Sequence, residues 1–215
     1  MTRKKSKRLA ELDGFSHVVT VPRGESNHGL LDRFSMGQPI TLEIGCGKGE
    51  YTVEMARRDP GHRFVGIDLK GDRLNRAAFA ARSHDLSNVL FVRIEAERLR
   101  EIIRPDSVGE IWLTFPDPHP GPTDVRRRLT APDLLILYRE LLVDSGKVHL
   151  KTDDLALHDF TRRTLEKLSW RILYSTTDLY GGRALNDDRL EIQTTFERRH
   201  LEVNRTITYI CFAPS

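Results

Sequence analysis

Three carboxylates and a run of glycines are the residues of this chain best suited to chemistry. Glu43 stands two residues before the first glycine of Leu42-Glu43-Ile44-Gly45-Cys46-Gly47-Lys48-Gly49, Asp68 closes the next apolar run, and Asp117 sits between prolines in Phe115-Pro116-Asp117-Pro118. Glycines permit positive φ and close approach of a ligand to the backbone, and the start of a following helix offers unpaired N–H groups. Two phosphate-binding readings fail on spacing. A dinucleotide fingerprint needs its third glycine where Glu50 stands, and a Walker loop needs Ser or Thr where Gly49 follows Lys48. A carboxylate ahead of the glycines and another beyond them suit a cationic, ribose-bearing ligand without phosphates. The prolines around Asp117 fix its backbone and remove two N–H donors, so its carboxylate is presented as a ligand group.

These residues need a scaffold that gathers them, and the hydrophobic pattern supplies one. Apolar, β-branched runs at 40–44, 63–67, 89–94, 110–115 and 147–151 predict strands. Helical spacing alternates with them. It begins at Glu50, places Leu74, Ala77, Ala78 and Ala81 on one face of 72–85, and opens 132–143 with Pro132 in the first turn. Leu157, Phe160, Thr164 and Leu168 mark a further face in 154–168. Strands alternating with helices imply a parallel sheet covered on both sides. Two last strands, at 170–174 and 206–212, have no obvious helix between them and are expected to pair antiparallel as a hairpin. Ligands of such sheets bind outside the carboxyl ends of the strands, where Glu43, Asp68, Glu95, Asp117 and Asp153 all fall. Residues 1–38 read as a basic, partly irregular N-terminal segment packed against a single domain over 39–215. Its stretch 3–8 is rich in Lys and Arg, a composition shared by solvated tails and by arms that touch nucleic acid.

The glycine motif, Asp68 and a seven-stranded, mostly parallel α/β sheet ending in an antiparallel hairpin resemble the Rossmann-like class I methyltransferases, which use S-adenosylmethionine (SAM). Asn/Asp-Pro-Pro-Tyr, found in amino-group methyltransferases, is absent, as is the Pro-Cys nucleophile of carbon-5 cytosine enzymes. Further motifs narrow the resemblance. Gly66-Ile67-Asp68, Phe115-Pro116-Asp117-Pro118 followed by Arg127-Arg128-Leu129, Lys151-Thr152-Asp153 and Thr194-Thr195-Phe196-Glu197 occur in order. Together, over roughly residues 40–212, they resemble the bacterial tRNA (guanine-N7-)-methyltransferase family.

That resemblance implies methyl transfer from SAM to guanine N7 in the variable loop of tRNA. It implies SAM contacts from Glu43, Gly45, Gly47, Gly49, Asp68 and Glu95, although the family more often has Asp at the last position. Asp117 would lie where cofactor meets substrate, and Asp153 with Thr194, Thr195, Phe196 and Glu197 would bind the target nucleotide. Asp117 and Glu197 are both candidates to accept from the guanine N1–H and amine. His119 and Gly121 stand where the family usually has Trp and Lys, removing a stacking platform and a cation. Arg126, Arg127 and Arg128 are the candidates to restore charge, and His119 is expected to position the base rather than exchange a proton. Basic residues at Arg198, Arg199, His200 and Arg205 would extend a phosphate track.

Composition bounds the rest. The chain has 215 residues and a formal charge of +3, from 34 Lys and Arg against 31 Asp and Glu. Its two cysteines suggest no disulfide framework. No stretch has the length of a membrane span, the basic start lacks the apolar core of a signal peptide, and the histidines show no metal-ligand spacing. The expectation is a cytoplasmic, metal-free enzyme acting as a monomer or homodimer. Two rivals remain: a SAM enzyme with another acceptor, and a non-catalytic RNA-binding protein of the same fold.

Overall fold

The computed structural model describes residues 16–26, 28–181 and 186–215; the basic stretch 3–8 lies outside them. An eight-stranded sheet forms the centre, in the order β1-β4-β3-β2-β5-β6-β8-β7. β1 is Val18–Thr20, β2 Ile40–Ile44, β3 Phe64–Asp68 and β4 Val89–Arg93; β5 is Val108–Thr114, β6 Leu142–Thr152, β7 Arg171–Thr176 and β8 Thr208–Ala213. All neighbours are parallel except β6–β8 and β7–β8, which are antiparallel. The final pair is therefore the expected one. It differs in one respect: a helix, Thr195–Glu202, lies in the connection between β7 and β8. Only eight residues long and strongly charged, that helix offers little apolar periodicity to a sequence reading.

The sheet also has one strand more than the seven expected. β1, three residues within the segment before residue 39, pairs in parallel with β4, Val18 opposite Phe91. A run this short, bounded by Pro22 and Gly24, gives too little alternation to separate it from a loop.

Alternate residues of each strand enter opposite cores. On one face Leu42, Ile44, Val65, Ile111, Leu113, Ile210 and Phe212 pack with Leu134, Leu135 and Tyr138 of the helix Pro132–Leu141. On the other, Trp112, Tyr209 and Cys211 pack with Tyr51 and Met55 of Glu50–Arg58 and with Leu74, Ala77 and Ala81 of Gly71–Ser83. In order, His28–Ser35, Glu50–Arg58, Gly71–Ser83, Pro132–Leu141, Leu155–Lys167 and Thr195–Glu202 are α1 to α6. Both cysteines are buried and free. β2 lies at the switch point, with β3 on one side and β5 on the other, which opens a crevice at the strand ends beside Gly45.

Candidate active site

The loop after β2 is held by backbone bonds. Gly45 N and Cys46 N both donate to Ile67 O, at 2.8 and 3.0 Å. Gly49, the N-cap of α2, has φ 71. A Cβ there would lie 2.6 Å from Ala77 Cβ and 2.9 Å from Phe91 Cε1, so this glycine answers both a left-handed backbone and helix-to-helix contact. Asp68 joins the loop to the end of β3, one oxygen accepting from Gly47 N at 2.9 Å and the other from Lys70 N at 2.7 Å. Each carboxylate oxygen keeps a lone pair that can accept a further hydrogen bond.

Glu43 is 1% exposed and forms part of the floor of the site. It accepts from Thr52 N at 2.9 Å and from the hydroxyls of Thr52 and Thr114, tying β2 to α2 and to the end of β5. Burial pushes its carboxyl up to about 7, against the pull of those hydrogen bonds. Its visible work is to shape the loop.

Two adjoining chambers lie along the strand ends. The first, about 380 Å³, is lined by Ile67, Asp68, Leu69, Ile94 and Ala96, with Arg127 and His119 at its margin. The second, about 330 Å³, runs over the glycine loop to Thr194, Thr195, Phe196 and Arg199. Gly45, Arg73, Phe115 and Asp117 line both, so Asp117 stands where the two chambers meet. Phe115, with φ 50, turns the chain out of β5, and its N–H donates to Lys151 O at 2.7 Å.

The other expected site residues divide. Glu95 lines neither chamber. It is paired with Arg23 at 2.7 Å and Arg98 at 3.0 Å, and these partners hold its carboxyl at about 2. Its neighbour Glu97 lines the first chamber instead. Glu197 is fully buried behind the second chamber, 2.8 Å from Lys151 Nζ, and accepts from Tyr180 Oη at 2.5 Å. Lys151 also donates to Leu190 O and Ile192 O. Of the two carboxylates Asp117 and Glu197, Asp117 alone lines the second chamber. Asp153 is taken by His200 at 2.8 Å and Arg205 at 3.4 Å. Arg128 lies over the Phe160 ring and donates to Pro118 O and His119 O at 3.0 and 2.9 Å, so it holds the Pro-Asp-Pro turn. Arg127 pairs with Asp124, and Arg126 is exposed.

Thr194 caps α6, its hydroxyl accepting from Glu197 N at 3.1 Å, while Thr195 N donates to Glu50. The segment before it is anchored by Arg189, which pairs with Glu110 and Asp187 and lies over Trp112. Arg73 and Arg199 border the second chamber, and neither has an ion-pair partner among the described residues. Sequence reasoning passed over Arg73: it lies five residues beyond Asp68, in a helix whose apolar face gives no hint of it.

The crevice, the glycine loop and the paired chambers define a class I SAM-dependent methyltransferase. A family model described as "Putative methyltransferase" matches residues 37–210. The tRNA (guanine-N(7)-)-methyltransferase of Christiangramia forsetii is 37% identical, over 98% of this chain and 98% of its own length. The enzyme of that name from Porphyromonas gingivalis is 40% identical over 94% of this chain and 86% of its own. This chain belongs to the bacterial tRNA (guanine-N7-)-methyltransferase family. The same fold occurs in the solved 16S rRNA methyltransferase KamB, with TM-score 0.66, 16% identity and coverage of 93% of this chain and 99% of that one.

Proposed function

We propose that this protein transfers a methyl group from SAM to N7 of a guanosine in tRNA, in the variable loop. The observation that carries this reading is the pair of chambers sharing Asp117, one suited to an adenosine and the other to a base. Adenosine would occupy the first chamber, with its ribose on Asp68. The methionine portion would cross Gly45, and the guanine would enter the second chamber from the Thr194 side.

Guanine N7 carries a lone pair and no proton, so no general base is required. The work left to the chain is alignment of N7 behind the sulfonium methyl, which is worth about 7–11 kcal/mol in well-oriented systems. Asp117 at the junction is placed to accept from the N1–H and amine of the base. Arg73 and Arg199, without an ion-pair partner among the described residues, offer positive charge for flanking phosphates, in place of the lysine replaced by Gly121. Among the described residues no helix is long and apolar enough to cross a membrane, and tRNA as substrate places the enzyme in the cytoplasm.

Mass analysis of tRNA nucleosides after incubation with labelled SAM tests the reading. Label in 7-methylguanosine supports it. Label in any other nucleoside would favour the acceptor change that His119 and Gly121 motivate, and no SAM binding by calorimetry would leave only an RNA-binding protein.

A further inference from the structure

The second chamber contains an aromatic surface that donor binding does not require. Phe196, the second residue of α6, is 47% exposed and lines that chamber with Phe115, Asp117 and Thr194. Two rings hold it in place. Phe115 lies at a centroid distance of 5.3 Å and an interplanar angle of 55°, and His200, four residues on, at 4.1 Å and 30°. His200 is fixed in turn by Asp153, Nδ1 to Oδ2 2.8 Å. The ring is thus braced while nearly half of the residue stays open, an arrangement that core packing does not explain. Stacking of a base on such a ring is favourable whatever the base.

The proposed reaction gives this surface a second use. A bond forms between N7 and the methyl carbon as the methyl–sulfur bond breaks, and the electron pair of the broken bond stays on sulfur. No proton moves. The donor begins as a sulfonium cation and ends as a neutral thioether, while the guanine begins neutral and ends as a 7-methylguaninium cation. Positive charge therefore passes from the first chamber to the second. An aromatic face attracts a cation more than a neutral ring of the same shape, and an interaction that grows toward the transition state raises kcat.

We infer that Phe196 is a catalytic residue: the target guanine stacks on its ring, and the contact strengthens as charge develops on the purine. This rests on the guanine-N7 reading above.

Single-turnover rates at saturating tRNA and SAM test the inference in Phe196→Leu, which keeps apolar bulk without a π face, and in Phe196→Tyr. The leucine variant should lose between about twofold and thirtyfold in kcat with SAM affinity and Tm near those of the wild type, and the tyrosine variant should stay close to wild type. Free 7-methylguanosine should inhibit the wild type more strongly than guanosine does, and Phe196→Leu should lose that preference. A leucine variant with wild-type kcat, or a wild type inhibited equally by both nucleosides, would overturn the inference while leaving guanine-N7 transfer standing. A wild type that makes no 7-methylguanosine would overturn both.

Discussion

Lys151 and Glu197 form an ion pair at 2.8 Å with neither side chain exposed to solvent. Lys151 comes from the end of β6 and Glu197 from the first turn of α6, so the pair fastens the helix that carries Thr194 and Phe196 to the sheet. Two backbone carbonyls and Tyr180 complete the network. One Glu197 oxygen, Oε2, has no hydrogen-bond partner among the described residues.

Removing one member of such a pair leaves a buried charge uncompensated, at a cost of about 3–5 kcal/mol. Lys151→Met should therefore lower Tm markedly, and Lys151→Met with Glu197→Leu should recover part of the loss. Thermal denaturation of the two variants decides the point. A single variant melting with the wild type would mean the pair contributes nothing to the fold.

Glu43 makes stability depend on pH. Its carboxyl is raised from 4.5 to about 7 in the folded chain, so between these values the folded protein binds the proton more tightly than the unfolded one. Its stabilising contribution is complete below pH 4.5 and is lost as pH rises through about 7. Glu43→Gln should flatten this part of the stability profile, measured by urea denaturation from pH 5 to 8. Parallel profiles for variant and wild type would contradict the assignment.

Asp117 borders both chambers. Asp117→Ala should slow single-turnover methyl transfer by about a hundredfold, the order expected when a reacting group is misplaced by about an ångström, while SAM binding changes much less. Rapid quench together with calorimetry separates the two effects. Equal losses in rate and SAM affinity would place Asp117 with the donor alone.

The arginines should behave unequally. Arg199→Ala removes a cation at the edge of the second chamber, so tRNA binding should weaken and the salt slope should fall by about one. Arg128→Ala removes a brace of the Pro118–His119 backbone and should reduce turnover while leaving the salt slope unchanged. Filter binding across a salt series distinguishes them.

Much of this arrangement is legible in the sequence. The glycine run, Asp68 and Pro-Asp-Pro each follow a strand, and a parallel sheet brings strand ends together whatever lies between them. Glu95 also follows a strand, yet Arg98, three residues on, and the distant Arg23 pair with it, and the contact with Arg23 leaves no periodic trace. Glu197 and Asp153 show the same limit: their motifs do not tell that each is held in an ion pair, with Lys151 and His200. Arg73 and the ring contacts of Phe196 depend on how α3 and α6 dock, which local spacing does not encode.

The pairing of β1 with β4 bears on how this protein should be handled. The family match begins at residue 37, a tempting place to start a shorter recombinant version. Cutting there would strip Val18 and Leu31 from the apolar interior and bare the outer backbone of β4, where Phe91 N now donates to His17 O at 2.7 Å. An uncovered strand of that kind invites edge-to-edge association between molecules, so a product trimmed to the matched region should clump rather than turn over.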